Sequence, residues 1–331
     1  MKAKNIFWSI ITAAIALSGC DEIATPLVQK QVNSILPTTK PAFWDSSAVS
    51  GPYAYTQYKV LLEDCMGDQC PNCPTACAIG DTLISPTGGY PYGQIVMMEE
   101  NMGDFAIPSN NVAGYPSYAF STDYRCYAST TWCTLFNLTS ATYPTGLINR
   151  YGWNTSSPNM DVGYGGPGGT VWQDSIKDLI NNNHNAAVTI HIYDSAWTSP
   201  RIIGATFQVT FKTAFPGSNT YSLEALVVED HIVSWQKDGD LILGYDSTYD
   251  HRNVLRGAFG NTSGGLPSGI VIPTSASSTA GGTWTSFQTY DFTKGENGNA
   301  SSWNMANCYI VAFVFNQATQ AVVQAEMIKV E

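Results

Sequence analysis

Hydrophobic and polar positions follow two rhythms along this chain, and the change falls near residue 185. Upstream, apolar runs at Tyr58 to Asp64, Gly93 to Met98 and Leu147 to Tyr151 predict strands. Trp172, Ile176, Leu179 and Ile180 recur at helical spacing and predict an amphipathic helix. Pro74-Thr75-Ala76-Cys77 can open another, because proline is tolerated in a helix's first turn. Strands and helices alternating in this way imply an α/β unit, here with an aromatic, Gly-rich and Pro-rich insertion over 101–142. Downstream the period becomes two. Phe207, Val209 and Phe211 alternate with Thr206, Gln208, Thr210 and Lys212. Similar runs recur at Tyr221 to Val228, Gly269 to Ile272, Trp284 to Phe292, Cys308 to Phe315 and Ala321 to Val330. Asn316 to Gln320 is a hairpin-length loop between the last two, and the half predicts an antiparallel β-sandwich.

The N-terminus carries a different signal. Lys2 and Lys4 precede the apolar stretch Ile6 to Leu17, which is too short to span a bilayer and reads as a secretory signal. Leu17-Ser18-Gly19-Cys20 then resembles the lipobox of bacterial lipoproteins, in which cleavage before the cysteine leaves it N-terminal and lipidated. Residues 1–19 are therefore expected to be removed. Cys20 is expected to anchor the chain to the membrane, and residues 20–50, with Pro26, Pro37 and Pro41, to act as a flexible tether.

Composition narrows the partners. Of 331 residues, 15 Lys and Arg stand against 26 Asp and Glu, a formal net charge of -11, which disfavours nucleic acid. Only 12% of residues are charged, while Gly, Tyr and Trp are plentiful, as in exported, turn-rich β proteins. Export makes disulfides the default. Seven cysteines remain beyond Cys20, so at least one stays free or pairs outside the chain. Cys126 and Cys133 are a candidate local staple, and Cys308, in an apolar run, reads as a buried inert thiol.

Chemistry is legible at one place. Cys70-Pro71-Asn72-Cys73 follows the first predicted strand and precedes a helix, the context of a thioredoxin-like redox turn. Leu61-Leu62-Glu63-Asp64, Gly67, Cys70 to Pro74, Tyr143 to Arg150 and Asn253 to Gly257 together resemble the "Omp twenty-eight" family of outer-membrane lipoproteins from Bacteroidetes. The resemblance implies a thioredoxin-like domain over 51–185, a C-terminal β-sandwich over 186–331 and an outer-membrane location. Cys65, Cys77, Cys126 and Cys133 look like additions to the family pattern, and Asp250 to Asn253 lacks a second histidine expected before Val254.

Within that frame Cys70, at the helix N-terminus, is the candidate nucleophile, because the helix dipole favours its thiolate. Cys73, one turn into the helix, is the resolving thiol. Asp64 matches the buried carboxylate that manages its proton, and Pro144 matches the cis-proline that faces the disulfide and pairs with extended substrate backbone. The partner so implied is a protein or peptide thiol or disulfide. A retained structural disulfide in a binding or adhesion module explains the same motif, and the extra cysteines and long insertion favour that reading. Zinc held by Cys70, Cys73, Cys126 and Cys133 is a weaker alternative, because the second pair is too widely spaced.

Nothing else calls for a cofactor. His184, His191, His231 and His251 are scattered, and Gly163 to Gly169 lacks the Lys-Ser/Thr of a phosphate loop. Asn137, Asn154 and Asn261 begin sequons that read as turn residues in a bacterial lipoprotein. Aromatics such as Tyr115, Tyr118, Phe120, Tyr124, Tyr127 and Trp132 either line a sugar or peptide groove or form the insertion's own core.

Overall fold

The computed structural model describes residues 57–330, apart from 86–87, 89, 91–92, 140–141, 153–161, 167, 184–185, 199–200, 261–267 and 295–302. The signal peptide, Cys20, the tether, His184 and the sequons at Asn154 and Asn261 lie outside the described residues.

The first half builds β1 (Val60–Met66), α1 (Cys73–Ile84), β2 (Ile95–Asn101), α2 (Tyr127–Leu135), β3 (Thr145–Ile148), β4 (Val162–Gly163) and α3 (Val171–Asn182). β5 (Val188–Thr198), β6 (Arg201–Phe211), β7 (Tyr221–Glu229), β8 (Ile232–Lys237), β9 (Tyr245–His251) and β10 (Val254–Ala258) follow. The chain closes with β11 (Ile270–Ile272), the four-residue α4 (Thr274–Ser277), β12 (Gly282–Asp291), β13 (Cys308–Asn316) and β14 (Val322–Lys329). The protein is mostly β, and its strands form several sheets. No helix among the described residues is long and apolar enough to cross a membrane.

The largest sheet runs β14-β13-β7-β10-β2-β1-β3-β4, with β11 paired to β7. It therefore draws strands from both sides of residue 185. The junction is between β10 and β2, parallel at Val254 and Glu99, where the Glu99 N–H donates to the Asn253 carbonyl at 2.9 Å. β1 is parallel to β2 and antiparallel to β3, and β13 and β14 form the expected hairpin. All nine residues of β7 are buried, so both faces of the sheet are covered.

Alternation sorts the residues of each strand between two faces. On one face Leu61, Met98, Leu226, Leu255 and Phe313 pack with Trp132 and Phe136 beneath α2. The other face is covered in two parts. Val60, Leu62, Met97 and Ile148 meet Ala76 of α1 and Trp172 and Ile176 of α3. Leu223, Val227, Ile310 and Val314 meet Ile190, Phe207, Val209 and Tyr290 of a second, three-stranded sheet ordered β12-β6-β5. The third sheet is the β8–β9 hairpin, which among the described residues has no further strand.

One cysteine expectation is corrected here, and Cys308 lies as its apolar run implied. Cys126 and Cys133 are not bridged to each other. Cys126 caps α2, its sulfur accepting from the Ser129 N–H at 3.4 Å, and Cys133 lies seven residues on. Seven residues of helix rise about 10 Å, beyond the roughly 7 Å Cα separation a disulfide tolerates. Cys308 is buried in the core between the two larger sheets, where burial pushes its thiol well up.

Candidate functional site

The cysteine turn leaves the C-terminal end of β1. Cys70 and Cys73 form a disulfide with Cα atoms 5.5 Å apart, closed by Cys70 N–H to Gly67 carbonyl and Cys73 N–H to Cys70 carbonyl bonds of 3.0 and 3.4 Å. α1 begins at Cys73, with Pro74 in its first turn and Asn72 preceding it without a side-chain cap. Cys73 is thus the first helical residue rather than one turn in, and Cys70 sits in the turn ahead of it.

Asp64 is fully buried on β1 beside Glu99 on β2. Its Oδ2 accepts a hydrogen bond from the Cys77 thiol at 3.3 Å, and its Oδ1 has no partner among the described residues. Burial pushes the Asp64 carboxyl up to about 7; the Cys77 bond opposes this and Asp81 adds to it. Glu99 is held well above the carboxylate range, first by burial and then by repulsion from Asp64. Tyr249, from β9, reaches the Cys77 sulfur within the same cluster. Burial, then Glu99, holds the Cys77 thiol itself well up, so it is no nucleophile.

The Tyr143-Pro144 bond is cis and leads directly into β3. Because Thr145 pairs with Cys65 and Gly146 with Asp64, Pro144 stands at the end of β3 that adjoins the cysteine turn. Asp64, the disulfide and Pro144 thus share one end of the sheet.

That end is closed. Cys70 is 1% exposed and Cys73 0%. Part of the cover is the 101–142 insertion: the Gln69 N–H donates to the Phe105 carbonyl at 3.0 Å, and a Cβ on Gly67 would come within 2.4 Å of Phe105 backbone. The rest is the β8–β9 hairpin. Its Lys237 N–H donates to the Asp68 carbonyl at 2.8 Å, and its Gly239 N–H to the Pro71 carbonyl at 2.8 Å. The Gln236 side-chain amide donates to the Gly67 and Cys70 carbonyls at 3.3 and 3.0 Å, and the Thr75 hydroxyl to the Asp240 carboxylate at 2.9 Å. Beneath it Asp68 is also buried, which lifts its carboxyl to about 7.

The insertion's aromatics clasp this hairpin. Trp235 stacks on Tyr245 at 4.9 Å between centroids, and Tyr115, Tyr118 and Phe120 meet the pair edge-on. Trp132 is fully buried elsewhere, under the opposite sheet face. No motif pointed to the hairpin, although Asp238-Gly239 and Gly244, between runs rich in Ile, Val, Trp and Tyr, are its turn signal.

On the α2 face lies a second polar cluster. Arg150 and Glu63 form a fully buried ion pair, with Arg150 Nε donating to both Glu63 oxygens at 3.0 and 2.9 Å. The guanidinium lies 4.3 Å from the Trp132 ring centroid and 4.8 Å from that of Phe313. Glu100 and Glu224 border it, both pushed well up by burial. Among the described residues no group of three or more His, Cys, Asp or Glu is placed to hold a metal ion.

No protein-family model matches the chain, and no curated protein matches its sequence. Solved structures do. HBP35 of Porphyromonas gingivalis is similar with a TM-score of 0.56 at 13% identity, over 83% of this chain and 76% of that one. A domain of the outer membrane lipoprotein Omp28 from Porphyromonas gingivalis matches at a TM-score of 0.28 and 18% identity, over 44% of this chain and 89% of that one. A DUF4785 family protein from Legionella pneumophila matches at 0.20 and 11%, over 43% and 28%. The likeness to HBP35 is one of fold.

Proposed function

We propose that this chain is a lipid-anchored protein of the bacterial outer membrane or cell surface. Its thioredoxin-like unit is a disulfide-stapled scaffold for a binding or adhesion module and does not turn over as an enzyme. The observation that carries the reading is the closure of the cysteine turn. A thiol-disulfide oxidoreductase must offer its first sulfur to a partner's thiolate or disulfide. Here Cys70 is 1% exposed, and the turn carbonyls are occupied by another part of the same chain.

The thioredoxin-like assignment for 51–185 is supported by the order β1, cysteine turn, α1, parallel β2, cis-proline, antiparallel β3 and β4, then α3. The remainder is a β-sandwich built on the same sheet, supported by the core that the three-stranded sheet shares with β7 and β13. The anchor is Cys20, and a Cys20→Ala chain should lose labelling by radioactive palmitate.

The test of function is insulin reduction by the purified chain in the presence of dithiothreitol. Turnover no greater than that of a Cys70→Ser control is expected, and control-sensitive turnover overturns the proposal. An envelope oxidoreductase is the second reading. It is favoured by the Asp64 carboxyl near 7 and by the position of Pro144 at the turn end of β3.

A further inference from the structure

We propose that the β8–β9 hairpin is a removable strap over a redox-competent disulfide. It occupies in cis the peptide-binding edge of the cysteine turn, and its displacement opens Cys70 to thiolate attack. This goes beyond the scaffold reading: the redox chemistry is latent, held in check by the hairpin, which shares the cover of the turn with the 101–142 insertion. The N–H groups of Lys237, the last residue of β8, and of Gly239, in the turn that follows, donate to the carbonyls of Asp68 and Pro71. An extended peptide laid along the turn would make the same kind of bond.

The hairpin is also the element best placed to leave. A two-stranded hairpin is marginal alone, and this one takes no hydrogen-bonded place in either larger sheet. It is held by its bonds to the turn, by the Trp235 and Tyr245 clasp, by Tyr249 at the Cys77 sulfur and by His251, buried against Tyr124. Its tip, Leu241 to Leu243, is exposed, with Ile242 wholly so. Elements that stand outside the main sheets can open locally below the cost of global unfolding.

With the strap away, a dithiothreitol thiolate attacks Sγ of Cys70, forming a mixed disulfide and expelling Cys73 as thiolate. The second dithiothreitol thiol displaces Cys70. The reagent leaves as its cyclic disulfide, two electrons pass to the protein pair, and each protein sulfur ends with one proton.

The experiment measures the native-state reduction rate of the pair in excess dithiothreitol, by alkylation and mass spectrometry on the full chain. Cys308, buried in the other core, reports global unfolding. Gly239→Val places a branched side chain where a Cβ already meets the Pro71 carbonyl at 3.3 Å, at an exposed site that leaves the core untouched. Gln236→Leu removes the side-chain donor at similar volume. Both variants should reduce at least tenfold faster than wild type, with Cys308 labelling unchanged. Val233→Ser, exposed on β8, should match wild type. Unchanged rates in both variants, or acceleration matched by Cys308 labelling, overturn the strap. Insulin turnover by the wild type would instead overturn the scaffold reading, and the two failures are separable.

Discussion

β1 turns an ionisable side chain to each face, Asp64 to one and Glu63, the partner of Arg150, to the other. Asp64 is buried beside Glu99, and its raised carboxyl binds a proton more tightly folded than unfolded. The stability contributed by that proton is fully present below the unfolded value near 4 and is lost as pH rises through about 7. The difference is on the order of 4 kcal/mol. Asp64→Asn, which keeps an acceptor for Cys77, should match wild type at pH 4 and exceed it in urea midpoint at pH 8. A pH-independent difference between the two would refute this account of the carboxyl. Arg150 poses the opposite case: a permanent charge whose partner Glu63 is equally buried. Arg150→Lys loses the forked contact and the stacking on Trp132 and Phe313, and should cost about 3 kcal/mol by chemical denaturation. A loss under about 1 kcal/mol would mean the pair contributes little beyond a surface ion pair.

At the level of elements, runs with a clean period were the legible ones. β6, β7, β13 and β14 fall within a few residues of the apolar runs that announced them, and α3 buries Trp172 and Ile176 as its spacing requires. The β8–β9 hairpin was not legible. Its strands carry polar residues such as Ser234, Gln236, Asp246 and Thr248 because it packs on a turn rather than on a core, so alternation never marks it. α2 was hidden for a related reason. Its cap is a cysteine, and its helix former content is low, with Thr130, Thr131 and Thr134 in nine residues. The packing beneath it is nonetheless dense, and Trp132→Ala should cost about 3–5 kcal/mol in urea unfolding. The disulfide contributes less. Its four-residue ring limits the chain-entropy gain to about 2 kcal/mol, so the Cys70→Ser/Cys73→Ser double variant should stay folded with a modestly lower midpoint. Unfolding of that variant at room temperature would show the ring to matter far more than its size implies.

Across the whole molecule, residues far apart in sequence converge at one end of one sheet. The cysteine turn, Asp64 and Pro144 were named from sequence, and the fold brings them to neighbouring strand ends. What covers the turn was not readable, because Lys237 and Gly239 contribute backbone N–H groups, which carry no sequence signature, and Gln236 contributes an ordinary amide. The block from Asn253 to Gly257 proved to be the seam where β10 joins β2, with Arg256 paired to Glu229 at 3.0 Å. It positions the sheet. The proposed sealing of the 70–73 disulfide under the hairpin is tested by the reduction potential of the pair in the intact chain. A value below about -300 mV is expected, as for structural disulfides that resist the glutathione pool. A readily reversible couple well above that value in the wild-type chain would contradict it.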